Sequence, residues 1–206
     1  MKFTLTFIML FKTMKTILLF LPEGFEILEA SAFIDVMGWN QLEGDRSTQL
    51  ESCGYSKQIK SSFGQQFIAD KIIEQINAAD YSALALPGGF EEFGYYQQAY
   101  DKRTLQLICD FREQQKPIAS ICTGALALAK SGILKGKKAT TYNNPIRRQV
   151  LKDEGAQLAS ETLVLEDNII TSCNPSTALD VALLLLELLT SKENAKHVSG
   201  LMGLNN

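Results

Sequence analysis

The chain has 206 residues, 46% of them hydrophobic, which is enough apolar material to bury the core of one domain. Lysine and arginine number 20 against 23 acids, for a net charge of −3 with no basic run, which argues against nucleic-acid binding. The four cysteines (Cys53, Cys109, Cys122, Cys173) form no C-x-x-C pair and the sole histidine is His197, so neither a zinc knuckle, a redox dithiol nor a histidine-rich metal site is indicated.

Met1 to Phe11 is apolar but lacks a small-residue cleavage site before Lys12 and Lys15, and it is too short to span a bilayer. Met14 offers a second start. Residues 1–13 are therefore expected to be a dispensable extension, and 14–206 one domain of a cytoplasmic protein with no membrane partner. Ile17 to Leu21 is a continuous apolar run, as in a central parallel strand. Glu26 to Met37 follows as a helix with Ile27, Leu28, Ala30, Phe33, Ile34 and Met37 on one face and Gly38 as its stop. Glu26 reads as a solvated acid favouring the helix dipole; Glu29, one turn on, is left open.

Asn40 to Gly64 is polar and reads as an excursion with a weak strand near Thr48 to Ser52, and Gln66 to Ile68 as another short piece. Asp70 to Ala78 places Ile72, Ile73 and Ile76 on one face of a short helix. Ser82 to Leu86 is a buried strand ending in Pro87-Gly88-Gly89, where glycines permit close backbone approach. The aromatic cluster Phe90, Phe93, Tyr95 and Tyr96 then serves either as core packing or as a pocket wall. Asp101 to Gln115 is a helix with Leu105, Ile108, Cys109 and Phe111 inward.

Lys116 to Ile121 is the next buried strand, and the alanine-rich run from Thr123 favours helix. Cys122 sits between them with small neighbours. Such a junction is either the seat of a nucleophile or an ordinary buried thiol, and the residues alone leave both open. Lys137 to Thr141 reads as a strand ending at Tyr142-Asn143-Asn144-Pro145, followed by a short helix to Lys152. A hairpin pairs Thr162 to Glu166 with Asn168 to Thr171, and Ser172-Cys173-Asn174-Pro175 leads into an apolar helix, Ser176 to Thr190. A last helix spans Lys192 to Met202. Strands alternating with helices imply a mostly parallel sheet covered on both faces, with ligands beyond the strands' carboxyl ends.

The ordered set Leu86-Pro87-Gly88-Gly89, Ala119 to Gly124, and Thr171 to Ala178 resembles the ThiJ/PfpI superfamily, on the branch of the Parkinson-disease protein DJ-one and its bacterial relatives. The resemblance covers about Lys15 to Leu189. It implies a flavodoxin-like α/β three-layer sandwich, related to class I glutamine amidotransferases, and a homodimer needing neither cofactor nor metal. It also implies a reactive Cys122, with Glu29, placed in register by Asp35-Val36-Met37, as a protonated partner of the sulfur. The amides of Gly89 and Thr123 match the oxyanion positions of relatives, and Gly88, Tyr142, Asn143, Cys173 and Asn174 are further pocket candidates. Peptidase-like members carry a histidine where this chain has Thr123, which argues against peptidase activity. Glyoxalase-like members often carry one after Thr140-Thr141, where this chain has Tyr142; Glu29 or Tyr142 would then have to shuttle the proton. Two functions follow as expectations: glyoxalase III or deglycase-type turnover of small carbonyl substrates, or a non-enzymatic redox sensor or stress chaperone whose cysteine reacts with peroxide. A thiamine-pathway hydrolase rests on fold analogy alone.

Overall fold

A strand such as Ile17 to Phe20, apolar on every side, must be covered on both faces, and this requirement builds the molecule from its centre outward. In the computed structural model, which describes residues 13–204, β1 (Lys15–Phe20) leads into α1 (Ile27–Glu43) and then β2 (Thr48–Gly54). A small hairpin, β3 (Gln58–Lys60) with β4 (Gln66–Ile68), precedes β5 (Lys71–Ile72) and β6 (Ala83–Leu86). Next come α2 (Tyr95–Ala99), α3 (Lys102–Glu113), β7 (Ile118–Ile121) and α4 (Gly124–Lys130). Then follow β8 (Lys138–Ala139), α5 (Pro145–Asp153), β9 (Gln157–Leu158), β10 (Leu163–Glu166), β11 (Ile169–Ser172), α6 (Ala178–Leu189) and α7 (Lys192–Leu201).

The main sheet has the order β10-β11-β7-β6-β1-β2-β5, parallel except for β10. Asp167 and Asn168 both take positive φ (50° and 64°), the tight reversal that joins β10 to β11. Phe33 and Val36 of α1 pack with Leu185 of α6 and Val198 of α7 on one face. Phe111 of α3 and Leu126 and Leu128 of α4 fill the other. This is the flavodoxin-like three-layer sandwich. The chain leaves β1 toward β2 on one side and returns to β6 on the other, so a crevice opens at the carboxyl ends of β1 and β6.

Several boundaries differ from the sequence reading. α1 runs through Gly38 to Glu43, because a glycine in a helix costs only about 1 kcal/mol. Buried Asn40 anchors the extension by donating to Thr48 Oγ1 (2.7 Å), and Gly44 ends it. The weak strand expected near Thr48 to Ser52 is a full inner strand, Thr48–Gly54. Asp70 to Ala78 is not a helix: Lys71 pairs with Cys53, and only single 3₁₀ turns follow at Ile73–Gln75 and Ala78–Asp80. Asp70 accepts from Ser52 N and Oγ, which commits the segment to the sheet edge. Lys137 to Thr141 shrinks to β8, paired with β9 outside the main sheet. Ile108 and Phe111 are buried as expected, but Cys109 and Leu105 are only half-buried, and Leu107 is inward instead. Thr13 apart, the proposed extension 1–13 lies outside the described residues. Among the described residues, no helix is long and apolar enough to cross a membrane.

Candidate active site

Cys122 closes β7 with φ +56°, a left-handed conformation that a non-glycine side chain adopts at a cost of about 1–3 kcal/mol. Its neighbours hold it there. Cys122 N donates to Ser172 O (2.8 Å), and its carbonyl accepts from Thr141 Oγ1 (2.9 Å). Gly88 lies against this turn so closely that a Cβ there would fall 2.8 Å from Thr123 Oγ1 and 3.0 Å from Cys122 Cβ. Only glycine admits that approach.

Glu29, in the first turn of α1, is fully buried. Its Oε2 accepts from Gly88 N (2.6 Å), while Oε1 is buried without a hydrogen bond of normal length, and the carboxyl's other polar neighbour is the Cys122 thiol. Burial pushes its pKa up to about 8; the Gly88 N–H opposes this, and the charge of Glu26 adds to it. Glu26 corrects the sequence reading, for it is buried rather than solvated. Its carboxylate caps α1 by accepting from Glu29 N (2.9 Å), and its own N–H donates to Gly88 O (2.8 Å). Gly88 is thus tied to α1 through both its N–H and its carbonyl.

Burial also raises the Cys122 pKa, and a charge on Glu29 raises it further; the Thr123 amide, a donor to the sulfur, pulls it down. Each group disfavours ionisation of the other, so the pair titrates as a unit and carries one negative charge over an intermediate pH range.

Both groups line a cavity of about 300 Å³, shared with Gly89, Thr123, Tyr96 and Tyr142. Phe90, Asn144, Arg147 and Pro175 add to its walls, with Glu26, Glu91 and Glu92 as further acids there. A wider hollow of about 650 Å³ opens beside Lys60, Phe63 and Phe93, but it holds none of the expected site residues. Of the sequence candidates, Gly88, Asn143, Cys173 and Asn174 do not line the cavity; Gly88 lies behind the elbow, bonded to Glu29 and Glu26. Asn143 points to Arg148 (3.2 Å), Cys173 N bonds Thr162 O (3.0 Å), and Asn144 and Pro175 take the wall positions instead. Gly89 N is already bound to Thr123 Oγ1 (2.9 Å), so its amide is not free for an oxyanion. The aromatic cluster divides: Phe90 and Tyr96 line the cavity, Phe93 is exposed, and Tyr95 is buried with its hydroxyl donating to Pro87 O (2.6 Å). Glu26 and Arg147 were not anticipated. A capping acid before an apolar run is a weak signal for the first, and nothing in the sequence marks the second.

Fold and site together define a flavodoxin-like α/β protein with a cysteine at a strand-to-helix elbow. The chain belongs to the DJ-1/PfpI family, whose profile matches residues 15–188. It is 30% identical to Methanocaldococcus jannaschii protein MJ0967 over 81% of this chain and 78% of that one. It is likewise 30% identical to Drosophila melanogaster DJ-1alpha, over 93% of this chain and 85% of the relative. The crystal structure of D. melanogaster DJ-1beta superposes with a TM-score of 0.82 at 26% identity, covering 94% of this chain and all (100%) of that one.

Proposed function

We propose that the protein converts small 2-oxoaldehydes, free or held on glycated amines, to 2-hydroxy acids through a covalent bond to Cys122, without a cofactor. One observation carries the reading: a strained elbow cysteine and a buried, proton-holding carboxyl, Glu29, line one small cavity. With the pair's single charge on sulfur, Cys122 adds to the aldehyde carbon, and the new alkoxide takes the Glu29 proton. The resulting hemithioacetal is neutral and Glu29 is now a base. It removes the C1 proton to give an enediolate and returns that proton to C2, while the hydroxyl proton passes from the C1 oxygen to the C2 oxygen, which isomerises the adduct to a 2-hydroxy thioester. Water then cleaves the thioester, releasing the acid and restoring the thiol. The sum is oxoaldehyde plus water to hydroxy acid, with no external oxidant; a glycated amine enters by dissociating to free amine and oxoaldehyde. Lactate formation from methylglyoxal measures it: Cys122→Ala should fall to background, and retained activity would sink the mechanism. The proposal places the enzyme in the cytoplasm as a homodimer; a monomer mass in sedimentation velocity would remove the latter.

A second reading has peroxide oxidise Cys122 to sulfenic and then sulfinic acid. It is favoured by Glu29 Oε1, a buried carboxyl oxygen with no hydrogen bond of normal length, on a carboxyl beside the Cys122 thiol, that could donate a proton to oxygen on the sulfur. Peptide mass spectrometry after mild peroxide tests it. Oxidation spread evenly over the four cysteines would rule it out.

A further inference from the structure

Tyr96 on α2 carries a buried hydroxyl that makes no hydrogen bond of normal length among the described residues, its polar neighbour being the Thr123 hydroxyl. Buried tyrosine hydroxyls ordinarily find a partner, so an unpaired one at a cavity wall calls for a ligand. Its ring is held on three sides. Tyr95 meets it edge-on at 5.4 Å, Tyr100 stacks at 4.9 Å, and the Arg147 guanidinium lies 4.8 Å from its centroid. Glu91 fixes Arg147 in turn, at 3.0 Å. The clamped ring lines the same cavity as Cys122 and Thr123. Several other donors there are engaged: Gly89 N bonds Thr123 Oγ1, Thr123 Oγ1 donates to Gly89 O, and Arg147 donates to Glu91, while the Asn144 amide stands elsewhere on the wall. Tyr142 is 40% exposed, so it competes with water for any bond it makes.

We infer that Tyr96 is a catalytic residue whose hydroxyl donates a hydrogen bond to the carbonyl oxygen of the aldehyde as Cys122 Sγ adds to its carbon. The inference rests on the covalent chemistry proposed above. The S–C bond forms, the carbonyl π pair moves to oxygen, and that oxygen is held by Tyr96 while Glu29 supplies its proton. Tyr96 keeps its own proton. Burial raises its pKa, with the nearby Arg147 charge opposing, so the donor form is present at neutral pH. A rigid donor that needs no reorganisation is the usual means of stabilising such an oxyanion.

Tyr96→Phe removes one oxygen and leaves the stacked ring. Two quantities decide the matter in wild type, Tyr96→Phe, Tyr142→Phe and Cys122→Ala. One is the acetaldehyde concentration that protects Cys122 from iodoacetamide; acetaldehyde forms the adduct but cannot isomerise to an acid. The other is kcat/KM for methylglyoxal. In Tyr96→Phe, protection should need about tenfold more acetaldehyde, and kcat/KM should fall about 100-fold. The thermal midpoint and the alkylation rate without aldehyde should stay at wild-type values. Wild-type protection in Tyr96→Phe, or the loss appearing in Tyr142→Phe instead, would overturn the Tyr96 role with turnover intact. Protection of wild type without lactate formation would overturn the turnover, leaving Tyr96 to be judged by the protection ratio. No protection of wild type would overturn both.

Discussion

The burial that hides Glu29 also makes the fold sensitive to pH. Its carboxyl titrates near 4.5 when unfolded and at about 8 in the folded protein. Between those values the folded chain holds a proton that the unfolded chain has lost, so stability falls as pH rises from about 4.5 to about 8. Glu29→Gln removes this loss. Urea unfolding at pH 8.5 should find the variant more stable than wild type by on the order of 2 kcal/mol, a figure below the ceiling set by 1.36 kcal/mol per pKa unit. At pH 5 the difference should nearly vanish, and an equal decline in both proteins would refute the account. With the competing charge gone, Cys122 should also alkylate at lower pH in Glu29→Gln. Gly88 tests the elbow from the other side: a Cβ there collides with Thr123 and Cys122. Gly88→Ala should cost about 1–3 kcal/mol in urea, and a neutral result would mean that the turn can yield.

The secondary-structure elements hold these residues by different means. α4 is short, and the elbow before it depends on bonds to Ser172 and Thr141 rather than on the helix. α1 sets both carboxylates, one as its cap and one in its first turn, and it is held by packing on α6. Leu185, Leu186 and Leu189 of α6 are buried, whereas Leu183, Leu184 and Leu188 are only partly covered. Leu185→Ala should therefore lower stability by about 2–5 kcal/mol, visible as a shifted urea midpoint with unchanged slope. A shift under about 0.5 kcal/mol would show that α6 does not carry the layer.

Across the whole molecule, the strand order brings the site together. β1 and β6 adjoin, and β7 lies next to β6, so Glu29, Gly88 and Cys122 meet at one edge although they span residues 29 to 122. The apolar runs of β1, β6 and β7 were readable because strands buried on both faces must be apolar throughout. β2 was readable only as a weak strand near Thr48 to Ser52, since Thr48, Gln49, Glu51 and Ser52 interrupt it and its inner place follows from pairing with β1 and β5. The proposed helix over Asp70 to Ala78 failed for the same reason: isoleucine spacing records which side is buried, not which partner buries it.

Local chemistry is what the chain alone determined. Small residues at strand ends mark Cys122 and Gly88 as turn positions, and alternating strands and helices imply the layered sheet. The resemblance of its motifs singled out Glu29. The tertiary structure decided the electrostatics and the walls: that Glu26 is buried as a cap, that Gly89's amide is spent on Thr123, and that Tyr96 and Arg147 line the cavity with Cys122 while Cys173 does not. Burial and unpaired donors depend on groups far apart in the chain, and no local pattern encodes those distances.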